Sequence, residues 1–361
     1  RRGGEAILTD VLDDLDAIEQ RDSLGILETV EGFADQCRQG WQLGLSAQGL
    51  PDAGGVESVV VLGMGGSGVS GDVVRSLVEP RLPLPFRTEK GYGPLPTWVG
   101  RNSLVFAVSY SGNTEETVAA ATDAVQRGAR LVTVTTGGAL AEMAAEHGLS
   151  QVAIPGGLQP RSALGYLTLP LLAVLDRMEL IPPFQEEVEE ATDILDGLAG
   201  RCHRKSAAAD NPAKSIALRL VKRIPVIYGG QGLGATAAYR FKCDLNEYAK
   251  VPAFWNELPE LNHNEIESWQ ASELTKDLAL VLLRDPDEHR SIDRRFEITK
   301  ELIGEHQNPI EIVAEGRSAL ARLLSLLFVT QLGAIYLAVA RNVDPGPVRV
   351  LERLKQKLAE G

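Results

Sequence analysis

Two turns rich in glycine and hydroxyl groups carry the clearest chemical signal in this sequence: Gly63-Met-Gly-Gly-Ser-Gly68 and Ser109-Tyr-Ser-Gly-Asn-Thr114. A short β-branched or apolar run precedes each, at 59–62 and 103–108, and a stretch of helical periodicity follows each. Where a strand gives way to a helix through such a turn, backbone N–H groups and hydroxyls collect at the helix N-terminus. The dipole and the unsatisfied donors there favour an anion. Gly65, Gly66 and Ser67 of the first turn, with Ser109, Ser111 and Thr114 of the second, are therefore candidate ligands of one phosphate. A sugar phosphate is the expected small-molecule partner.

The same glycines, Gly63, Gly65 and Gly68, also satisfy G-x-G-x-x-G, and Glu89 follows about 20 residues on, where a dinucleotide fold places its ribose-binding acid. A dinucleotide site has no use for a second hydroxyl-rich turn two strands later, so the pair of turns favours a monophosphate. Either turn alone reads equally well as a tight βα connection with capping hydroxyls.

The elements that must hold these turns follow from the periodicity. An acidic amphipathic helix is expected over 5–19 and another over 28–45, ending at Pro51-Asp-Ala-Gly-Gly55. Strands are expected at 59–62, 85–88, 104–108, 131–135 and 152–154, with helical patterns between most of them, the alternation of an α/β fold with a parallel sheet. Right-handed crossovers put the turns at the carboxyl ends of the strands, where ligands bind in such sheets. A helix over 162–178 and Pro182-Pro183 close this unit, and an acidic helix over 185–198 opens the next. The domains expected are 1–180 and 181–361. The second repeats the logic of the first, with a strand at 224–228, a turn at Gly229-Gly-Gln-Gly-Leu-Gly234, a helix over 235–248, strands at 278–283 and 310–313, and helices near 320–340 and 348–358. Internal duplication is the expected origin.

Bulk properties fit this picture. A chain of 361 residues with 44% hydrophobic content exceeds the usual single core, so about two domains are expected. Its net charge of -13 comes without a basic run or stripe, which argues against nucleic acid and an anionic membrane as partners. Cys37, Cys202 and Cys243 form neither a disulfide framework nor a zinc pattern, and a reducing cytoplasm is expected. The opening Arg-Arg-Gly-Gly-Glu does not read as a secretory signal. The apolar segment 323–340 has the length of a membrane span, but Ser325, Thr330 and Gln331 interrupt it and Arg322 and Arg341 flank it, so a buried core helix is expected. No paired spacing of metal ligands is present and no cofactor is expected.

Further blocks extend the signal. Together with the two turns, Gln159-Pro-Arg161, Leu245-Asn-Glu247, Lys250-Val-Pro-Ala-Phe254 and Pro259-Glu-Leu-Asn-His-Asn-Glu265 occur in the order found in the bifunctional phosphoglucose/phosphomannose isomerases, which the chain resembles between about 60 and 265. That resemblance implies two sugar isomerase (SIS) domains of αβα sandwich type with added N- and C-terminal helices. It also implies aldose–ketose isomerisation of glucose 6-phosphate and fructose 6-phosphate, with mannose 6-phosphate as a further substrate, through a cis-enediol.

Such a reaction needs a base at C2 and groups that open the sugar ring. The resemblance gives the base to Glu247, expected at the end of the 235–248 helix, where a carboxylate faces the negative end of the dipole. It gives proton transfer at the ring oxygen to His263, contributed by the neighbouring subunit of a homodimer. Arg161 supplies a fixed positive charge for the phosphate or the enediolate. Lys355 is the implied ring-opening lysine, although it and Lys357 flank opposite edges of the apolar stripe of Val350, Leu351, Leu354 and Leu358, and periodicity does not choose between them. Taken singly, each of these four side chains also fits an ordinary surface or capping role. Cys243 and Tyr248 replace polar residues of the pattern, and Asp344-Pro-Gly-Pro-Val348 lacks a threonine that the resemblance links to tolerance of the C2 epimer. Glucose 6-phosphate is thus implied more firmly than mannose 6-phosphate. The rival readings are a non-catalytic sugar-phosphate sensor, which would need the turns but neither Glu247 nor His263, and an NAD-dependent dehydrogenase.

Overall fold

Strands β1 (Ser58–Leu62), β2 (Phe86–Glu89), β3 (Ser103–Val108), β4 (Arg130–Thr135) and β5 (Ser150–Ala153) pair in the order β2-β1-β3-β4-β5, all parallel. β1 and β3 are buried along their whole length, as their unbroken apolar runs require of strands covered on both faces. A second sheet, also parallel, runs β7-β6-β8-β9, from β6 (Ile224–Gly230), β7 (Phe254–Leu258), β8 (Leu278–Arg284) and β9 (Ile310–Val313). The second order repeats the first four positions of the first, which gives the duplication read from the sequence a topological form. This computed structural model describes residues 10–270, 272–304 and 308–360.

Neither compact unit is continuous in sequence. Gly32–Asp196 with Gly316–Leu323 make the first, and the described parts of Arg1–Glu31, Gly197–Glu315 and Leu324–Gly361 make the second. A single boundary near 180 therefore differs from the observed division, for reasons visible in polar contacts. Glu31 accepts hydrogen bonds from the Arg204 backbone and guanidinium (2.9, 3.0 and 2.6 Å), and Asp13 accepts from the Ala208 N–H at 2.7 Å and from Lys214 Nζ at 3.3 Å. In the first unit the Phe33–Leu45 helix is tied through Trp41 Nε1 to Gln185 Oε1 (2.6 Å) and through Gln39 Oε1 to Tyr166 Oη (2.6 Å). Each unit has its own apolar core, one around Val60, Val105 and Leu131 and the other around Tyr228, Leu282 and Phe296.

Several expected elements are adjusted. The helix expected over 5–19 falls partly outside the described residues, and its remainder breaks at Asp14, whose side chain caps Leu15–Arg21 by accepting from the Ala17 N–H at 3.1 Å. The stretch 28–45 is two helices, Ile26–Glu31 and Phe33–Leu45, separated at Gly32. β7 escaped the pattern because it is an edge strand between prolines: Phe254 is 59% exposed, and Asn256 and Glu257 interrupt the apolar run. The Ala319–Ala340 helix is long and apolar enough to span a membrane, and 94% of its apolar window is buried inside the protein.

Candidate active site

β1 ends at Leu62, and the helix Gly65–Val78 starts almost at once, with Met64 as an N-cap that makes no side-chain capping bond. Gly63 and Gly68 bring the two ends of the turn into contact, since a Cβ on Gly68 would stand 2.6 Å from the Gly63 carbonyl oxygen. Gly65 and Gly66 form the open lip, and Ser67 is buried behind them. The N-cap side chain thus leaves this helix start uncapped.

The second turn is built more tightly. Ser109 Oγ, fully buried, accepts from the Gly112 N–H at 3.1 Å and shares a 2.9 Å hydrogen bond with Thr114 Oγ1. Thr114 is the N-cap of Glu115–Gln126, yet its hydroxyl faces Ser109 and makes no capping bond, so this helix start too is unclosed by a side chain. Gly112 has φ +71°, and a Cβ there would fall 1.8 Å from the Gly137 carbonyl oxygen, so no other residue fits. Asn113 Oδ1 accepts from the Ala139 N–H at 2.9 Å, and Ser111 Oγ, at the exposed tip, accepts from the Asn113 N–H at 3.3 Å.

The segment that leads to Arg161 touches both turns. The short 3-10 turn Pro160–Ser162 lies against the first, with the Pro160 carbonyl oxygen 3.1 Å from the Cβ position of Gly66. The preceding loop is pinned to the second by Tyr110, whose Oη accepts from the Leu158 N–H at 2.8 Å and donates to the Pro155 carbonyl at 3.0 Å. Burial pushes the Tyr110 hydroxyl up against the opposing pull of the Leu158 N–H, which keeps it a donor. Arg161 itself is 4% exposed, with Nη1 3.5 Å from Gln159 Oε1. The two turns and a buried guanidinium thus meet in one unit.

The corresponding turns of the second unit lack this equipment. Register aligns them: Leu62 pairs with Ala107 as Tyr228 pairs with Leu282, which sets Ser109 against Arg284 and the helix start Glu115 against Arg290. By that alignment Ser67 becomes Leu233, Ser109 becomes Arg284 and Thr114 becomes His289. Arg284 is committed to Glu288, Glu297 and Glu311 at 3.0, 3.0 and 2.6 Å. His289 Nδ1 accepts from the Ser291 N–H at 3.1 Å at the start of Arg290–Gly304, so the cap is made within the chain.

Glu247 is the last residue of the helix Leu233–Glu247, as the sequence expects, and is half-buried. It lines a cavity of about 670 Å3 with Asn246, Lys250, Pro252, Asp344 and residues 347–351. Lys250, at φ +55°, turns back so that its ammonium donates to the Glu247 carbonyl oxygen, as a cation closing a helix C-terminus does. One turn earlier Arg240 and Asp244 form an ion pair at 2.8 Å with both side chains 2% exposed. Burial opposes the Arg240 charge, but Asp244 outweighs it and keeps the guanidinium charged. Burial, then Asp244, push the Cys243 thiol up, which leaves it a neutral packing residue.

His263 ends the 3-10 turn Glu260–His263 and is exposed. Its neighbours are clamped on either side. Asn262 Nδ2 donates to Thr299 Oγ1 at 3.1 Å, and Glu265 accepts from Tyr228 Oη and Asn256 Nδ2, both at 2.6 Å. Lys355 and Lys357 are exposed on Arg349–Ala359, beyond the Leu351 limit of the cavity lining. Within the second unit, then, Glu247 shares a wall with Asp344 and residues 347–351, while His263 and Lys355 stand outside that lining. Among the described residues no cluster of three or more His, Cys, Asp or Glu is arranged to hold a metal. Sequence reasoning passed over Asn113, Asn246 and the chemical use of Lys250, although all three lie within quoted blocks.

Comparison with known proteins agrees with this arrangement. Residues 55–153 match the SIS domain model, and 209–358 match the bacterial phospho-glucose isomerase C-terminal SIS domain model. The chain is 37% identical to a bifunctional phosphoglucose/phosphomannose isomerase of Caldicellulosiruptor bescii, over 93% of this chain and 99% of the relative. It is 36% identical to the bifunctional phosphoglucose/phosphomannose isomerase of Thermoplasma acidophilum, over 85% and 91%. A crystal structure of a hypothetical protein from Thermus thermophilus shares the fold with a TM-score of 0.68 at 17% identity, covering 100% of this chain and 94% of that one. With its hydroxyl-lined turns in one SIS domain and Glu247 in the other, the chain belongs to the bifunctional phosphoglucose/phosphomannose isomerase family.

Proposed function

We propose that this protein interconverts aldose and ketose sugar phosphates, with glucose 6-phosphate and fructose 6-phosphate as the main pair. The observation that carries this reading is Glu247, a half-buried carboxylate on the wall of a cavity in a chain of this family. The phosphate is held by Gly65, Gly66, Ser67, Ser109, Ser111 and Thr114, with Arg161 supplying positive charge beside them. Glu247 removes the C2 proton and returns it at C1, through a cis-enediol. His263 moves a proton between the ring oxygen and the neighbouring hydroxyl, Lys355 assists ring opening, and no step requires a metal. Segment 344–348, which lacks the threonine tied to epimer tolerance, lies on the same cavity wall as Glu247, and this supports glucose 6-phosphate over mannose 6-phosphate. The three free cysteines suit a cytoplasmic location.

Purified protein mixed with fructose 6-phosphate is expected to form glucose 6-phosphate, undiminished by a chelator; absence of turnover would end this reading. We further infer a homodimer in which His263 serves the partner's Glu247. Glu247→Gln and His263→Ala are each expected to be inactive, whereas mixed chains should regain about a quarter of wild-type activity, because half the dimers are hybrids with one intact site. Mixed chains that stay inactive would place His263 in its own subunit's site or outside the chemistry.

A further inference from the structure

The phosphate turns stand beside a buried acid that none of the proposed contacts answers. Asp72 lies in the same helix as the first turn, Gly65–Val78, and is 9% exposed. At 1.5 Å per residue it sits about 8 Å along the axis from Ser67. A carboxylate at that depth would repel a phosphate at the helix start, since little water lies between to screen it.

Lys90 meets this charge from the neighbouring strand. It follows β2 directly, and the Gly63 N–H donates to the Glu89 carbonyl oxygen at 3.2 Å, so the first residue of the turn is tied to the residue before the lysine. The Lys90 ammonium pairs with Asp72 Oδ2. On its way there the side chain crosses the turn itself: its Cε lies 3.1 Å from the Cβ position of Gly68, so the bare glycine leaves the stem its path. The other charges on this strand cancel each other, because Arg87 Nη2 is 2.7 Å from Glu89 Oε2.

We propose that Lys90 belongs to the phosphate site as the counter-charge to Asp72: Arg75, the other charge on this helix, is exposed in its last turn, and Lys90 is the cation that meets the buried carboxylate beside the glycine turn. The effect is on affinity, and the pair acts as a unit. This inference rests on the turns at 63–68 and 109–114 being the phosphate site.

The test is titration of the full chain with inorganic phosphate, followed by calorimetry at low and high salt. Lys90→Met should weaken binding about tenfold at low ionic strength, with the loss shrinking in high salt as the Asp72 charge is screened. The double variant Lys90→Met/Asp72→Asn should return to within about threefold of wild type, because both charges are gone. Asp72→Asn alone should bind more tightly than the double variant, a comparison that stands even if Lys90→Met does not fold. Wild-type affinity in Lys90→Met, a double variant as weak as Lys90→Met, or an Asp72→Asn no tighter than the double variant would each overturn the proposal. Thr114→Val separates the two readings: binding lost there but kept in Lys90→Met defeats only the role of Lys90, and binding kept in both defeats the phosphate site.

Discussion

Glu247 and Asp244 lie one helical turn apart and have opposite fates. Asp244 is sealed into an ion pair with Arg240, whereas Glu247 reaches the cavity, so only one of the two carboxylates is open to a substrate proton. Glu247→Gln keeps the shape and removes the proposed base. Turnover of fructose 6-phosphate should fall about a thousandfold while binding of the sugar phosphate stays within about threefold, measured by coupled assay and calorimetry. The hydroxyls of the turns should show the reverse split. Ser67→Ala is expected to raise KM about tenfold and leave kcat nearly unchanged, the loss of one hydrogen bond to a charged group. At this scale the sequence was informative where residue type alone restricts the chemistry, as in the paired serine and glycine turns. It did not distinguish Lys355 from Lys357, because both are exposed on one amphipathic helix and nothing in the spacing selects a partner.

Elements are held by a few buried polar contacts whose strength can be measured. Asp244→Ala would leave the Arg240 guanidinium buried without its carboxylate, which should cost about 3–5 kcal/mol in urea unfolding and loosen the helix that presents Glu247. Glu190 secures the start of Ala319–Ala340 by accepting from the Arg317 and Ser318 N–H groups at 2.8 and 3.0 Å. Burial pulls this carboxyl upward, but the backbone hydrogen bonds from Arg317 and Ser318 prevail and hold it below the ordinary carboxylate range. A depressed carboxylate stabilises the fold above its unfolded value and loses that contribution as pH falls through the folded one. Glu190→Gln should therefore be less stable than wild type by about 1 kcal/mol at neutral pH, with the gap closing in acid below about pH 4. Denaturant midpoints across that range would test the sign. Helices and buried strands were mostly legible, since long apolar periodicity survives folding. The edge strand β7 was not, because its pairing on one side only permits exposed Phe254 and polar Asn256, which resemble a loop in sequence.

Across the whole molecule, one unit carries the turns proposed to hold the phosphate, and the equivalent turns of the other are closed by its own side chains. Leu233, Arg284 and His289 stand where Ser67, Ser109 and Thr114 stand, and Arg284 is occupied by carboxylates of its own chain. The expected stoichiometry is one phosphate per chain, read by equilibrium dialysis with inorganic phosphate. Two sites per chain would contradict the closure. The sheet orders β2-β1-β3-β4 and β7-β6-β8-β9 repeat although residue similarity between the units is weak, because the order depends on crossover geometry and burial pattern more than on particular side chains.

What the sequence by itself determined are the features governed by local rules: turns that demand glycine, strands that must be buried on both faces, and the α/β alternation. The blocks from the first turn to Glu265 also carried the family. Tertiary structure decided what depends on chain segments far apart. It assigned the described residues up to Glu31 to the second unit through Arg204 and Lys214, brought Arg161 to the turns through Pro160 and Tyr110, and set Lys90 against Asp72. Such pairings arise from burial and charge compensation between elements that sequence spacing does not connect.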